Sequence, residues 1–328
     1  MKVVFFHRKP EANYFSVEGT FETTRKLMSE DIEPIVVQSR FLSRGFFRRL
    51  YNIIEAFFRQ GEVNHITGDV TFLSFLLTKN KTLLTILDSQ ALDRMKGLKR
   101  KLYFLFWFKI PEKRVKLIST ISQSSKNELV KLLCCDAEKI KVVPVCISPK
   151  YKKAPYKFEA EKPKILQVGT AENKNLERLC AAIEGLPCTL HIIGKLSKQQ
   201  LMVLADKAID FTNSFALSDE EMVAEYIDCH LVSFVSTYEG FGMPIIEANT
   251  VGRPVITSNL LSMPEVAGDS ACLVDPFDIN DIRAGLLRIM QDKEYRVMLI
   301  ENGYKNANRF KPEGIAKQYS EIYRELYL

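Results

Sequence analysis

The chain is predicted to be an α/β protein with two doubly wound parallel sheets. In the first half, short apolar runs alternate with segments of helical periodicity, which is typical of βαβ units. The alternation resumes after a Pro- and Lys-rich stretch at residues 149–163, the best interdomain linker in the chain. A length of 328 residues suffices for two domains of ordinary size. Because ligands of such sheets bind beyond the carboxyl ends of the strands, function is expected in the loops that follow strands.

The predicted strands set the domain boundaries. Residues 1–9 have four apolar residues in a row before charge returns, which indicates a first strand and not a signal sequence. The longest apolar run, residues 102–108, is far shorter than the ~20 residues that span a bilayer. We assign residues 1–155 to a first domain, 156–312 to a second domain and 313–328 to a C-terminal helix. Strands are predicted at residues 3–7, 35–38, 63–66, 82–87, 117–121 and 141–145, and then at 164–168, 189–193, 211–217 and 231–236.

Charge is distributed unevenly along the chain. Residues 1–150 carry 26 Lys and Arg against 15 Asp and Glu, whereas the remainder carries 20 against 25. Two segments of the first domain, residues 40–59 and 92–116, combine clustered cations with aromatic and aliphatic side chains. Such a composition suits helices that lie at an anionic membrane surface. The alternative is that the rings belong to the core and the cations form a solvated face.

Cysteine and histidine usage gives no sign of a metal site. The seven cysteines are odd in number and lack Cys-x-x-Cys spacing, so we expect free thiols in a reducing cytoplasm. The four histidines are scattered without the spacing of metal ligands. No structural metal is predicted.

Several loops and helix starts carry specific signals. Lys174 stands at the N-terminus of a helix predicted from Leu176, where it can approach a phosphate or act only as an exposed capping lysine. Ser125 with Glu128 and Ser218 with Glu221 have the spacing of capping boxes. Asp278 is predicted to cap a later helix.

The stretch from Leu231 to Glu265 is the most specific in the chain. A buried strand at 231–236 is followed by a loop at 237–242 and by a helix in which Pro244 suits the first turn. On one continuous helix, Glu239 and Glu247 would stand ~12 Å apart. With Glu239 on the loop and Glu247 on the helix, both acids can converge. The glycines at 240 and 242 let the backbone approach a ligand, and the helix N-terminus favours a diphosphate.

The residues Glu239-Gly-Phe-Gly-Met-Pro-Ile-Ile-Glu247, followed by Gly252-Arg-Pro-Val and Met263-Pro-Glu-Val, resemble a known motif. It is the Glu-x7-Glu motif of retaining glycosyltransferases with the GT-B fold, often called family 4 or group 1. The resemblance covers most of the chain and is strong from about Pro163 onward. It implies two Rossmann-like domains that face a cleft, with the C-terminal helix returning to the first domain. The alternative is that both acids are solvated surface residues.

The resemblance implies donor-side roles for residues of the second domain. Glu239 and Lys174 are assigned as catalytic, with Lys174 at the donor diphosphate and Glu239 at a sugar hydroxyl. Glu247 is expected to accept ribose hydroxyl bonds, and no cofactor or metal is expected beyond a nucleoside diphosphate sugar. The remaining expected donor contacts are Gly240, Phe241, Gly242, Met243 and Pro244, together with Phe215 and Leu217 against the base.

The resemblance is weaker in the first domain. Relatives usually place a glycine-rich loop after the first strand, whereas this sequence has a single glycine at the end of residues 8–19. Many relatives also carry a His-Asp pair where Leu87 precedes Asp88 here. The acceptor-side candidates are therefore Ser16, Glu18, Gly19, His65 and Asp88. Ser16 and Glu18 could equally be the start of a helix, and His65 could equally be a buried structural histidine.

The resemblance predicts transfer of a sugar from a UDP- or GDP-sugar to a saccharide or lipid-linked acceptor, in cell-surface polysaccharide synthesis. The expected location is the cytoplasm, with peripheral contact to the inner face of the membrane through residues 40–59 and 92–116. The alternatives are a sugar-nucleotide epimerase of the same fold and a noncatalytic donor-binding subunit. Nucleic acid is not expected as a partner, because no recognised binding module accompanies the basic half.

Overall fold

The computed structural model describes the backbone of residues 1–9, 16–93 and 95–328, and the side chains of these residues except 16–20 and 93. The chain divides into two compact units. One comprises Met1–Cys146 with Pro312–Leu328, and the other comprises Ile147–Lys311.

The first unit contains a six-stranded parallel sheet with the strand order β2-β1-β3-β4-β5-β6. The order reverses between β1 and β3. The strands are β1 Lys2–His7, β2 Glu33–Gln38, β3 Val63–Ile66, β4 Thr82–Thr85, β5 Leu117–Thr120 and β6 Ile140–Val142. The helices are α1 Ser16–Arg25, α2 Phe46–Phe58, α3 Gln90–Asp93, α4 Gly97–Phe104, α5 Ile110–Arg114 and α6 Gln123–Leu133. A π-helical segment, Leu105–Lys109, joins α4 to α5.

Side chains alternate between the two faces along each strand, and the central strands of this sheet are buried on both faces. On β1, Val4 and Phe6 belong to one apolar cluster, whereas Val3 and Phe5 belong to a second cluster on the other face. The near-continuous apolar runs that predicted the strands follow from this two-sided burial.

The second unit contains another six-stranded parallel sheet, with the order β12-β11-β10-β7-β8-β9. Its order reverses between β7 and β10. The strands are β7 Lys164–Val168, β8 Thr189–Ile193, β9 Phe211–Ser214, β10 Leu231–Phe234, β11 Val255–Ser258 and β12 Ala271–Val274. The helices are α7 Leu176–Ile183, α8 Lys198–Asp206, α9 Asp219–Asp228, α10 Met243–Val251, α11 Met263–Ala267, α12 Ile279–Gln291 and α13 Lys293–Ala307.

The last helix, α14 Pro312–Tyr327, packs on the first unit. Its buried face, which includes Ile315, Tyr319 and Tyr323, joins the apolar cluster that contains Phe5. The predicted linker, by contrast, makes its contacts with the second unit. The amide of Ala154 donates to the carbonyl of Val251 at 3.2 Å, and this explains why the division falls after Cys146 rather than at the predicted residue 155.

The predicted α/β class with two doubly wound parallel sheets is confirmed. The predicted strand at 211–217 is too long, since β9 ends at Ser214. The capping box predicted for Ser125 is wrong, because Ser122 caps α6 and its hydroxyl accepts a bond from the amide of Ser125. The cap at Ser218 and the cap at Asp278 are confirmed. Within the described ranges, no helix combines the length and apolar character needed to cross a bilayer.

Candidate functional site

The site lies where the strand order of the second sheet reverses. In a doubly wound sheet, the loops that leave the two strands at this point separate, and a crevice opens between them. The two strands are β7 and β10, which pair through Leu231 and Ile165. The loop after β7 carries Lys174, and the loop after β10 carries Glu239. Two residues 65 positions apart are thus brought to one place.

The backbone around Lys174 is fixed on both sides. Gly169 has φ +92°, and a Cβ there would lie 3.0 Å from Cε and Cγ of Lys174, so the lysine stem needs a glycine beneath it. Asn175, with φ 60°, ends the turn that holds Lys174. The Asn175 side-chain amide donates to the carbonyls of Val235 at 3.0 Å and Pro276 at 2.7 Å. These bonds tie the loop after β7 to the end of β10.

Lys174 and Glu239 form an ion pair. Lys174 Nζ lies 2.6 Å from Glu239 Oε1, and the same oxygen accepts a bond from Asn173 Nδ2 at 3.1 Å. Lys174 Nζ also lies 4.7 Å from the ring centroid of Phe234, within reach of a cation–π contact. The two paired side chains are 20% and 17% exposed, so the pair is shielded from water yet accessible to a ligand. An incoming phosphate would compete with the carboxylate for the same ammonium group.

The turn between β10 and α10 is held by one serine. Ser262 Oγ lies 2.9 Å from the carbonyl oxygen of Glu239 and 2.6 Å from that of Phe241. Gly242, with φ 143°, precedes the helix, and a Cβ there would lie 2.9 Å from Cδ1 of Ile245. These contacts fix the turn directly before the N-terminus of α10, the end of a helix whose dipole favours an anion.

Two side chains of this turn lie in the core. Phe241 is buried, and its ring packs against Phe310 with centroids 5.6 Å apart. Pro244 is also buried, in the first turn of α10. These two residues anchor the turn in the core.

Glu247 lies in α10, as predicted, and its carboxylate is bound by phenols. Tyr226 OH donates to Glu247 Oε2 at 2.6 Å, and the phenol of Tyr151 lies close enough to this carboxylate to influence its pKa. Burial raises the pKa of Glu247 above its usual value, and the two phenols and the charge of Lys174 partly offset this rise. The second acid is thus held without a direct ion pair in the described structure, in contrast to Glu239.

A family model described as glycosyl transferases group 1 matches residues 150–306, nearly the whole second unit. The second unit is therefore similar to the group 1 glycosyltransferases. The resemblance inferred from the Glu-x7-Glu motif is confirmed, whereas family 4 and the retaining mechanism stay predictions.

Relatives and solved structures agree with this assignment. The chain is 29% identical over 232 residues to O-antigen chain mannosyltransferase B of Escherichia coli, covering 64% of this chain and 61% of that protein. It is 27% identical to O-antigen chain mannosyltransferase RfbU of Salmonella typhimurium, covering 66% and 62%. It therefore spans less than two thirds of either relative. Anabaena HepE in complex with UDP has the same fold, with a TM-score of 0.80, 14% identity and coverage of 98% and 99%.

The predicted base contacts lie on the loop between β9 and α9 of the second unit. Phe215 is 61% exposed, and Leu217 is half-buried. An exposed ring at the carboxyl end of a strand offers a flat face to a base. Their role as base contacts stays a prediction.

Among the acceptor-side candidates, His65 is placed most clearly. It lies on β3, fully buried, with Nδ1 2.8 Å from Tyr323 OH and Nε2 2.7 Å from Thr85 Oγ1. Burial lowers its pKa well below the usual value. Both ring nitrogens are occupied inside the core, so the structure favours the alternative that His65 is a structural histidine.

The other acceptor-side candidates are only partly described. The backbone of Ser16, Glu18 and Gly19 lies in the first turns of α1, and their side chains are outside the described part of the structure. Asp88 follows β4 and is half-buried, and its Oδ1 accepts a bond from the amide of Gln90 at 3.1 Å. An acceptor role for these four residues stays a prediction.

Sequence reasoning missed four residues that shape the site: Asn173, Tyr226, Tyr151 and Ser262. Asn173 could have been found, because it is an amide beside Lys174 in a loop that follows a strand. Tyr226 and Tyr151 carry no local signal, since they reach Glu247 from a different helix and from the linker. Ser262 lies within the stretch already singled out, but its bonds are to backbone atoms that no pattern identifies.

Proposed function

We propose that this protein is a glycosyltransferase that moves a hexosyl group from a nucleoside diphosphate sugar to a hydroxyl of a saccharide or lipid-linked acceptor. The observation that carries the proposal is the Lys174–Glu239 pair at the strand-order reversal, beside the N-terminus of α10. A cation, helix amides and an acid at one crevice suit a substrate that contains both a diphosphate and a sugar.

The charges of the reaction fit these groups. As the bond from the anomeric carbon to the phosphate oxygen breaks, the sugar gains positive charge and the diphosphate gains negative charge. Lys174 and the amides at Gly240–Met243 stabilise the developing negative charge, an electrostatic contribution that is already in place before the reaction. Glu239, released from Lys174 by the phosphate, accepts a hydroxyl bond from the sugar. The acceptor hydroxyl attacks on the same face, and the departing phosphate takes its proton.

The relatives favour a particular sugar and setting. Two O-antigen chain mannosyltransferases are similar to this chain over about two thirds of its length. We therefore propose mannose as the first sugar to test, and cell-surface polysaccharide synthesis as the process. Uracil and guanine are both kept as candidate bases of the donor, since the exposed ring of Phe215 can stack on either.

The test is a thermal-shift panel of UDP-, GDP- and ADP-sugars, followed by a transfer assay. A ligand that binds only the native state raises the unfolding free energy by about 2.7 kcal/mol at a hundredfold excess over its Kd. We expect one base to raise the Tm, and the product to keep the anomeric configuration of the donor by NMR. A panel without any shift would contradict the proposal.

A membrane partner is supported by the exposed face of α2. Phe46, Phe47 and Phe58 are 71%, 82% and 78% exposed, whereas Asn52, Ile53 and Ala56 on the opposite face are buried. Scattered exposed apolar residues are normal, but such a large exposed apolar face, beside arginines, is typical of an interaction site.

The second basic segment adjoins this face. Arg49 of α2 lies over the ring of Trp107, with its guanidinium carbon 4.6 Å from the centroid. In the second segment, Leu98 is 71% exposed among exposed Lys and Arg side chains, whereas Phe108 belongs to the core. We propose that the two segments dock together on an anionic membrane surface, with Phe46 and Phe47 among the acyl chains.

Vesicle sedimentation tests the membrane partner. Replacing Phe46 and Phe47 by Ser should lower the fraction bound to anionic vesicles by at least about tenfold, since each buried Phe contributes about 1.5–3 kcal/mol. The matched control replaces Leu201 and Met202, which are exposed on α8, by Ser. Binding of the unaltered chain should weaken at high salt. Equal binding of the Phe variant and the unaltered chain would contradict this proposal.

A further inference from the structure

The carboxylate of Glu247 is surrounded by groups from three parts of the second unit. Tyr226, fully buried on α9, donates to Oε2 at 2.6 Å. The phenol of Tyr151, from the segment predicted as a linker, lies beside the same carboxylate, and each group influences the pKa of the other. The two tyrosine rings pack against each other at 78°, with centroids 5.6 Å apart. The charges of Lys174 and Asp219 also act on this carboxylate.

The segment that carries Tyr151 is fastened to the second unit on both sides. Just before it, Lys150 Nζ lies 2.8 Å from Asp219 Oδ2 and 3.1 Å from Glu220 Oε1, at the start of α9. Just after it, the amide of Ala154 donates to the carbonyl of Val251 at the end of α10. The linker therefore holds the phenol of Tyr151 in a defined position beside α10.

We propose that Tyr151 and Tyr226 are positioning residues for the donor nucleotide, which together fix the Glu247 carboxylate to receive the ribose hydroxyls of a nucleoside diphosphate. The inference rests on the proposed function and deepens it. A carboxylate has two oxygens with about four acceptor positions. Two phenol donors occupy part of these and leave others for the two hydroxyls of a ribose.

The phenols also keep the carboxylate in the form that accepts hydrogen bonds. Burial raises the pKa of Glu247, and Asp219 acts in the same direction, whereas the two phenols and Lys174 lower it. The pKa of each phenol is itself raised, chiefly by burial, so both remain protonated donors. Removing a phenol donor would leave the buried carboxylate harder to ionise.

The experiment is calorimetric titration of the full chain with UDP and with GDP between pH 5 and 8. For Tyr226→Phe and for Tyr151→Phe, we expect the Kd at pH 7 to rise about tenfold, as for loss of a hydrogen bond to a charged group. The acid limb of the binding profile should move to higher pH by about one unit, because the carboxyl group then protonates more readily. Glu247→Gln, which cannot ionise, should keep only the part of that limb that comes from the nucleotide's own terminal phosphate, whose last pKa is about 6.

The matched control is Tyr156→Phe. Tyr156 belongs to the same linker and its hydroxyl donates to the carbonyl of His230 at 2.9 Å, so this variant loses a linker hydrogen bond at a site apart from Glu247. It should bind nucleotide as the unaltered chain does. Equal weakening in all three Phe variants, or an unmoved acid limb in Tyr226→Phe, would overturn the inference. Failure of the unaltered chain to bind either nucleotide would instead overturn the proposed function.

Discussion

Both sheets place an ion pair at the reversal of strand order, and the two pairs are held differently. In the first unit, Arg8 follows β1 and Asp69 follows β3, with 3.7 Å between Nη1 and Oδ1. In the second unit, Lys174 follows β7 and Glu239 follows β10, with 2.6 Å between Nζ and Oε1. The side chain of Asp69 is 62% exposed, whereas that of Glu239 is 17% exposed.

The difference lies in what surrounds each acid. Glu239 is braced through its carboxylate by Asn173 and through its carbonyl by Ser262. Asp69 is contacted through its carbonyl oxygen, which lies 3.1 Å from Trp107 Nε1. An exposed pair contributes about 0–1 kcal/mol, because water competes for both charges. The topology therefore brings opposite charges together in both units. Of these two ion pairs, the surrounding loop residues shield only the pair in the second unit from water.

The largest effect should come from Glu239→Gln. The amide keeps the shape of the side chain but removes the negative charge that pairs with Lys174 and accepts a bond from a sugar hydroxyl. We therefore expect the rate of transfer to fall about 10²–10³-fold. Nucleotide binding should persist, since Lys174 is no longer neutralised. Rates come from a transfer assay and Kd values from calorimetry.

The matched control for this variant is Glu172→Gln, an exposed acid in the same turn as Lys174. Its transfer rate should equal that of the unaltered chain. If Glu239→Gln kept full activity, the Lys174–Glu239 pair would have no more catalytic importance than the exposed Arg8–Asp69 pair.

The next effect is expected for Lys174→Met, which keeps an apolar stem beside Gly169 and removes the charge. The Kd for UDP or GDP should rise about 10–100-fold, since the hydrogen bond lost is one to a charged diphosphate. The dependence of Kd on salt should weaken as well. Lys198→Met, at an exposed position on α8, is the control. An unchanged Kd for Lys174→Met would place the diphosphate elsewhere.

Much of the fold and part of the site follow from the sequence. Short apolar runs that alternate with helical periodicity predict the strands. A doubly wound topology then brings the loops after β7 and β10 together. The resemblance to the Glu-x7-Glu family assigns both Lys174 and Glu239 to the donor. Their direct bond to each other was not predicted, because it depends on side-chain directions set by Asn175 and Ser262.

Other features depend on contacts that no local pattern contains. Ser122 precedes α6 and Ser125 lies in its first turn, and capping-box spacing selected Ser125 as the cap instead of Ser122. The burial of His65 requires Tyr323, from a helix 258 residues away. The phenol on Glu247 comes from Tyr226, 21 residues away on another helix. In each case the partner is chosen by packing.

A smaller effect should separate a structural His65 from an acceptor-side one. Its pKa in the folded protein is lowered, so protonation favours the unfolded chain, and stability is lost as the pH falls below the ordinary value of about 6.5. Between pH 7.5 and 5.5, the free energy of unfolding of the unaltered chain should fall by about 1 kcal/mol more than that of His65→Asn. The single tryptophan, Trp107, reports unfolding of the first unit. Equal losses would contradict a neutral buried histidine.

The smallest effect should come from Asp69→Asn. The pair with Arg8 is long and its acid is mostly in water, so we expect the unfolding free energy of the first unit to change by less than about 0.5 kcal/mol. The Kd for UDP or GDP should not change, because this pair belongs to the other sheet. A loss above about 1 kcal/mol, measured by Trp107 fluorescence in urea, would mean that the first pair is as well supported as the second. The two ion pairs would then differ only in their proposed ligands, since Lys174 and Glu239 bind a diphosphate and a sugar in the proposed function and Arg8 and Asp69 do not.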